Sequence, residues 1–316
     1  MTTTTTTTTG YFNYLDPATL TPTSTPSGTS RPWAKVDVNS TSYSQTSIGP
    51  LPVTSIRTLP TDSYSTDITG FSLFHSPLTT PVDFESDASV RGAYYQSVES
   101  LLREKLPRVK KVVIFDHTIR KRDPGAPRQP VQSVHVDQTP KAAEARVRRH
   151  VTDTAEAEGL LRGRYQIVNV WRPIGHVASD FPLALIDWRS TRPENLIAVE
   201  LLYPVRKEGE DDGDDRGKEV LPDPETLRST EGYEVKGETY GVVPSEGHRF
   251  YYVKDMTPEE ALFIKCFDSR AEGLPGGRKG VAALTPHTAF VDPQTPEGTK
   301  GRESIEVRCL VFYDEE

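Results

Sequence analysis

The segment Ser133-Val134-His135-Val136-Asp137-Gln138-Thr139 decides how the rest of this 316-residue chain is interpreted. Its alternation of valines with polar residues is typical of a β-strand, in which successive side chains point to opposite faces. His135 and Asp137 therefore share one face. With a second histidine from elsewhere, they would make the 2-His-1-carboxylate set that holds ferrous iron. The alternative is an ordinary His–Asp hydrogen bond on a surface strand or turn.

Three histidines far from this segment are candidates for the third ligand: His176, His248 and His287. His287 is favoured because Arg302-Glu303-Ser304 follows it by fifteen residues. His248 is followed by Arg249, which by strand alternation points away from it.

The Arg302-Glu303-Ser304 segment is a candidate carboxylate clamp. Arg302 and Ser304 share a strand face, and a planar guanidinium pairs with a carboxylate through two hydrogen bonds. Such a clamp suits the far carboxylate of 2-oxoglutarate or the carboxylate of an amino acid. Arg308 has the same parity and is an alternative clamp.

The pattern of elements predicts a mainly β protein. One amphipathic helix is predicted over residues 88–106, and Thr139-Pro140 is typical of a second helix start. Elsewhere, short apolar strands dominate without βαβ alternation, which favours an antiparallel sandwich or jelly roll with flanking helices. The strand over residues 112–122 and the strand that contains His135 are expected to form a hairpin or a neighbouring pair.

The first fifty residues differ in composition from the rest. They begin with eight threonines, Thr2 to Thr9, and are rich in Ser, Thr and Pro. Such a segment buries little apolar area, so we predict a partly flexible N-terminal segment over residues 1–50 and a catalytic domain over residues 51–316. The aromatic residues Tyr11, Phe12, Tyr14 and Trp33 are the exceptions, and they could attach this segment to the domain.

Composition excludes several classes of function. The net charge of −8 argues against nucleic-acid binding, and no apolar stretch reaches membrane-spanning length. The N-terminus lacks an apolar signal core, and the two cysteines, Cys266 and Cys309, do not make a disulfide framework. We therefore expect a cytoplasmic protein that acts on a small molecule, and the sequence does not indicate its oligomeric state.

Several blocks of the chain resemble one family of enzymes. They are Phe115-Asp116-His117-Thr118-Ile119-Arg120, Val134 to Thr139, Asn169-Val170-Trp171-Arg172-Pro173, His248 to Tyr252, Pro286 to Phe290 and Arg302 to Arg308. Over residues 50–314 the chain is similar to fungal and bacterial 2-oxoglutarate/Fe(II) oxygenases of secondary metabolism. That family includes cephalosporin 7-alpha-methoxylase-like, gibberellin-desaturase-like and aspergillic-acid-hydroxylase-like proteins. The resemblance implies a double-stranded β-helix with His135, Asp137 and His287 as iron ligands.

The resemblance also implies an activity. The expected enzyme uses Fe(II), 2-oxoglutarate and O2 to hydroxylate or desaturate an unactivated C–H bond of a small, carboxylate-bearing precursor. A second possible outcome is oxidative ring closure by the same iron chemistry. A hypothesis of another class is a jelly-roll binding module without catalysis.

Three further residues in the shared blocks are ambiguous. Arg172 is either part of a structural ion pair or a ligand for the carboxylate of substrate or co-substrate, and we include it among the candidate cofactor-binding residues. His117 and Arg120 likewise have either a structural or a ligand-binding role.

Overall fold

A computed structural model describes residues 7–20, 28, 31–36, 38, 40–123, 125–126, 128–205 and 229–314. In this part of the chain there are fourteen strands: β1 (Thr7–Leu15), β2 (Trp33–Lys35), β3 (Gln45–Ser55), β4 (Phe71–His75), β5 (Val109–Lys121), β6 (His135–Val136), β7 (Tyr165–Pro173), β8 (Leu183–Ile186), β9 (Leu196–Pro204), β10 (Tyr233–Val242), β11 (Phe250–Tyr252), β12 (Glu260–Asp268), β13 (His287–Ala289) and β14 (Glu303–Tyr313). The α-helices are α1 (Asp87–Ser89), α2 (Tyr95–Lys105), α3 (Pro140–His150) and α4 (Thr154–Arg162), and the π-helical segment Val90–Tyr94 joins α1 to α2.

The strands form two sheets. The larger has the order β1-β3-β11-β8-β13-β6-β10-β9-β2, and the smaller has the order β4-β12-β7-β14-β5. All pairings are antiparallel except β3 with β11 and β2 with β9. The predicted jelly roll with flanking helices is confirmed.

The smaller sheet has one face against a helix and the other towards the larger sheet. Alternate residues of β14, such as Ile305 and Val307, pack with Val168 of β7 against Val98 and Leu102 of α2. The intervening residues of β14 therefore face the space between the two sheets. Strand alternation thus separates the helix-packed core from the interior of the jelly roll.

The helix predictions are confirmed within a few residues. Helical structure runs from Asp87 to Lys105, and it ends two residues before Pro107. The Thr139 hydroxyl caps α3 by accepting a hydrogen bond from the amide of Ala142. This cap lies two residues after Asp137, and therefore fixes the chain where it leaves the segment that carries His135 and Asp137.

The predicted pairing of the strand over residues 112–122 with the His135 strand is wrong. Strand β5 pairs with β14 in the smaller sheet, whereas β6 pairs with β10 and β13 in the larger sheet. The connection between them covers residues 122–134, which is longer than the two to five residues usual in hairpins. The chain uses this length to cross from one sheet to the other.

The predicted boundary at residue 50 lies inside β3, so it does not separate two structural units. Strand β1 pairs with β3, and Phe12 and Tyr14 are fully buried, whereas Tyr11 is 62% exposed. The carbonyl of Asn13 accepts a hydrogen bond from the amide of Val134 at 2.8 Å. The described part of the N-terminal segment therefore supports the strand that carries His135. Thr2 to Thr6 and the acidic run 208–215 lie outside the described residues.

Candidate metal centre

Three predicted ligands converge between the two sheets. His135 on β6 and His287 on β13 are direct cross-strand partners, and Asp137 follows β6 by one residue. The Oδ1 atom of Asp137 lies 3.4 Å from Nε2 of His135 and 4.0 Å from Nε2 of His287. One ligand atom from each residue lies within 4.8 Å of the others. This spacing suits three donors around one ion.

The second nitrogen of each histidine ring is already engaged. Nδ1 of His135 lies 2.8 Å from the carbonyl oxygen of Ser133, and Nδ1 of His287 lies 3.0 Å from that of Thr285. A carbonyl only accepts, so each Nδ1 carries a proton, which leaves Nε2 as the atom of each ring that could bind a metal. Metal-binding histidines usually have this outer hydrogen bond, which fixes ring orientation and tautomer.

The backbone before His287 is held by a tight contact. The hydroxyl of Thr285 donates to the carbonyl of Gly70 at 2.6 Å. Gly70 has a φ of +97°, and an added Cβ would collide with the carbonyl of Leu284 at 2.9 Å. A glycine is needed here because only it takes this conformation without strain.

The carboxylate of Asp137 is held in the same way. Its Oδ2 accepts hydrogen bonds from Nδ2 of Asn169 at 2.7 Å and from Nε of Arg308 at 3.1 Å. These partners come from β7 and β14 of the opposite sheet, so they brace the ligand across the jelly roll. They leave Oδ1 directed at the two imidazoles and available to an ion.

The protonation states favour a divalent cation. Burial alone would raise the pKa of Asp137, but the hydrogen bond from His135 and the charge of Arg308 lower it well below its usual range. Burial and the neighbouring His135 lower the pKa of His287. The site therefore offers an ionised carboxylate and, at His287, a neutral imidazole, which are the forms that bind metal. Burial would lower the pKa of His135, but its hydrogen bond to Asp137 raises it, so a metal ion would have to displace a proton from Nε2 of His135.

Arg302 and Ser304, the candidate carboxylate clamp, lie beside the candidate metal ligands. Both are buried and line a small cavity with the three candidate ligands. Nη1 of Arg302 donates to the carbonyl of Phe181 at 2.6 Å, and the guanidinium lies 5.5 Å from the ring centre of Trp171. Its Nε has no hydrogen-bond partner among the described residues, and none of their carboxylates lies within 4.0 Å. Burial and the charge of Arg120 lower the pKa of Arg302 to about 9.

Such a buried guanidinium is incompletely satisfied by the protein. A buried charge without a partner is costly, so an anionic ligand in this cavity would relieve the deficit. The residues therefore fit the distal carboxylate of 2-oxoglutarate.

Arg172 does not lie at the site, contrary to the prediction. Its Nη1 donates to the carbonyls of Ser76 and Pro258, both at 2.7 Å, and its guanidinium lies over the ring of Tyr94. All nine residues of β7 are buried, so burial did not reveal which face of the strand meets the inner cavity. The cavity-lining residue is Trp171, on the opposite face of the strand.

The remaining candidate histidines, and Arg308, have contacts that assign them to other roles. Nδ1 of His248 lies 2.9 Å from the hydroxyl of Tyr14, and Nδ1 of His117 lies 2.9 Å from that of Tyr95. His176 lies 3.9 Å from Glu303. None of these three histidines is in the cluster that contains His135. Arg308 holds Asp137 and is not a free clamp.

Asn169 is a residue whose role the sequence did not reveal. It is a fully buried amide within the apolar strand β7, on the same face as Trp171. A polar residue at an inward position of such a strand is the signal that could have identified it, because buried amides need partners.

The fold is a double-stranded β-helix, and between its sheets two histidines and one aspartate form a cluster that could hold a metal ion. Among known proteins, a family model described as "Oxidoreductase/YMDC permease-like domain" matches residues 12–312. The hydroxylase/desaturase PoxK of Penicillium oxalicum is 34% identical over 242 residues, covering 76% of this chain and 70% of PoxK. The hydroxylase/desaturase AsaB of Aspergillus flavus is 38% identical over 173 residues, covering 55% of this chain and 66% of AsaB. The chain therefore belongs to this oxidoreductase family of fungal hydroxylases/desaturases.

A solved structure supports the fold. The iron and alpha-ketoglutarate-dependent endoperoxidase NvfI superposes with a TM-score of 0.72 at 23% sequence identity, covering 98% of this chain and 99% of NvfI. The described helices do not combine the length and apolar character that crossing a bilayer requires.

Proposed function

We propose that this protein is an Fe(II)/2-oxoglutarate-dependent oxygenase that hydroxylates or desaturates an unactivated C–H bond of a small molecule in secondary-metabolite biosynthesis. The observation that carries the proposal is the convergence of His135, Asp137 and His287. Each of the three directs one possible ligand atom inward, while its other polar atom is held by the protein. Three protein donors leave the remaining coordination positions for other ligands.

Different residues of the site would bind the metal and the co-substrate. His135, Asp137 and His287 would hold Fe(II), and Arg302 with Ser304 would bind the distal carboxylate of 2-oxoglutarate. Iron bound with 2-oxoglutarate and O2 supplies the oxidising power for C–H cleavage, and the protein selects which bond is exposed to it. Trp171 and Leu183 line the inner cavity with apolar surface and so limit water around the reacting centre.

The names of the relatives indicate different outcomes of C–H cleavage. PoxK and AsaB are named hydroxylase/desaturases, which favours those outcomes. NvfI is named an endoperoxidase, which supports oxidative ring closure as the second candidate on this fold. A cytoplasmic location stays a prediction. It is supported by the two cysteines, which are both free and buried, as expected in a reducing compartment.

The test is turnover of 2-oxoglutarate by the full-length protein loaded with Fe(II). Succinate release is measured after O2 is admitted, for the wild type, His135→Ala and the control His117→Ala. We expect the wild type and the control to release succinate and His135→Ala to release none above background. Equal release by His135→Ala would contradict the proposed centre, and no release by an iron-loaded wild type would favour the non-catalytic binding module.

A further inference from the structure

A second guanidinium, that of the partly buried Arg120, lies at the junction of two cavities. Arg120 is on β5, opposite Ser304 of β14. It lines the small inner cavity around the three metal ligands and also an outer cavity of about 690 Å³. Arg302 lines only the inner one. A molecule that enters from the outer cavity therefore meets Arg120 before Arg302.

No described residue neutralises Arg120 by a direct ion pair. Its Nη1 donates to the carbonyl of Gln129 at 3.0 Å, and no carboxylate of a described residue lies within 4.0 Å of it. Arg308, by contrast, contacts Asp116, Asp137 and Glu306 at 2.9, 3.1 and 3.2 Å. The three carboxylates nearest the junction are thus engaged by Arg308.

The outer cavity is basic although the chain carries a net charge of −8. Besides Arg308, its walls include Lys35, Arg91, Arg120, Arg128, Arg146 and Arg149. Among the described residues, the acidic side chains that line it are Asp116 and Asp137, which pair with Arg308. Some of the basic groups have further contacts, such as Arg91 with Asp87. A concave surface with this balance of charge attracts anions and concentrates them at its base.

We propose that the primary substrate carries a carboxylate, and that Arg120 binds this carboxylate at the base of the outer cavity while Arg302 binds 2-oxoglutarate. The inference rests on the proposed function, because it assigns substrate and co-substrate to separate arginines of one site. The guanidinium fork matches a carboxylate, and a cavity of this size encloses a typical small-molecule ligand. Tyr43, Tyr240 and Leu15 offer apolar surface to the rest of the substrate.

The experiment uses a matched pair of probes, 3-phenylpropionate and 3-phenylpropanamide, which differ in the charged group. Binding is measured by saturation-transfer NMR on the full-length protein loaded with Zn(II), a diamagnetic substitute for Fe(II), at saturating 2-oxoglutarate. We expect the wild type to bind the carboxylate at least about tenfold more tightly than the amide, as expected for charge-assisted hydrogen bonds. Arg120→Gln should bind both probes equally and keep its affinity for 2-oxoglutarate.

Two controls separate this result from a general change of charge. Arg103→Gln removes a surface arginine outside both cavities and should keep the carboxylate preference. Arg302→Gln should weaken 2-oxoglutarate binding and leave the preference unchanged when 2-oxoglutarate is still saturating.

A second measurement on the wild type does not depend on the variant folding. Phenylglyoxal modifies arginines, and its rate of attack on Arg120 is followed by mass spectrometry. We expect the carboxylate probe to protect Arg120 and the amide probe to leave it reactive.

The proposal is overturned if the wild type shows no carboxylate preference, if Arg120→Gln keeps it, or if the carboxylate fails to protect Arg120. Loss of 2-oxoglutarate affinity in Arg120→Gln would show instead that Arg120 binds the carboxylate of 2-oxoglutarate. Failure of the proposed function is recognised separately, by absent succinate release from the Fe(II)-loaded wild type.

Discussion

Asn169→Ala tests whether the protein orients the carboxylate ligand. The substitution removes the 2.7 Å hydrogen bond from Asn169 to Oδ2 of Asp137, while Arg308 still contacts the same oxygen at 3.1 Å. A hydrogen bond to a charged group contributes about 1.5–3 kcal/mol, and the remaining contact from Arg308 places the expected loss at the lower end, about 1.5–2 kcal/mol. Because the hydrogen bond is already present without iron, this energy is lost from the free energy of unfolding; the loss of orientation of Asp137 should in addition weaken Fe(II) affinity roughly 10- to 100-fold.

The matched control is Gln166→Ala. Gln166 is also a buried amide of β7, and its Nε2 donates to Asp268 at 2.7 Å, away from the metal centre. Gln166→Ala also removes hydrogen bonds with Asp67 and Tyr313, so it should lower the free energy of unfolding at least as much as Asn169→Ala does. Only Asn169→Ala should lose iron affinity.

The assay is an anaerobic Fe(II) titration of the wild type and both variants, combined with urea unfolding of the iron-free proteins. If Asn169→Ala binds iron as tightly as the wild type, the hydrogen bond does not orient Asp137. If Gln166→Ala loses as much iron affinity as Asn169→Ala, the loss of affinity reflects general destabilisation and not the orientation of Asp137.

Three further predictions concern the clamp, the N-terminal strand and the response to acid. Arg302→Gln should weaken 2-oxoglutarate binding by about 10- to 100-fold in an anaerobic titration of the Fe(II)-loaded protein, whereas Arg172→Gln should leave that affinity within about twofold. Equal losses in the two variants would show that Arg302 is not the residue that binds 2-oxoglutarate. Phe12→Ala should lower the free energy of unfolding, measured in urea, by about 3–5 kcal/mol, because the ring of Phe12 is buried. Tyr11→Ala should change it by less than about 0.5 kcal/mol, because the ring of Tyr11 is exposed. A small effect of Phe12→Ala would show that β1 is not part of the folded core. Burial lowers the pKa of His248 from 6.5 to about 4, so the unfolded chain binds more protons below pH 6.5 and stability falls as the pH drops towards 4. Allowing for its partial exposure, we expect iron-free wild type to lose about 1–2 kcal/mol more than His248→Gln between pH 7 and pH 5, and equal losses in urea unfolding would refute the assignment.

The sequence predicts most of the site because strand alternation is a local property. The two-residue spacing of His135 and Asp137 places both on one face, and the same spacing places Arg302 and Ser304 together. The contribution of His287 depends on the larger sheet, in which β13 pairs with β6. Proximity of residues about 150 positions apart cannot be derived from periodicity, and the prediction for His287 rested on the clamp motif and the family resemblance.

The errors arise where local patterns do not determine tertiary placement. Strand β7 is buried on both faces, so alternation alone could not decide whether Trp171 or Arg172 meets the cavity. The low apolar content of residues 1–50 suggested flexibility, yet Phe12 and Tyr14 alternate along β1 and fill the core of the larger sheet. Two aromatic side chains bury enough apolar area to order a strand whose overall composition is polar.

The most direct test of whether His135, Asp137 and His287 bind one ferrous ion is an anaerobic Fe(II) titration of the wild type, His287→Ala and His248→Ala. We predict one tightly bound Fe(II) per chain in the wild type and in His248→Ala, and a large loss of affinity in His287→Ala. Wild-type affinity in His287→Ala, or loss of iron binding in His248→Ala with His287 intact, would contradict the convergence of His135, Asp137 and His287 on one ferrous ion.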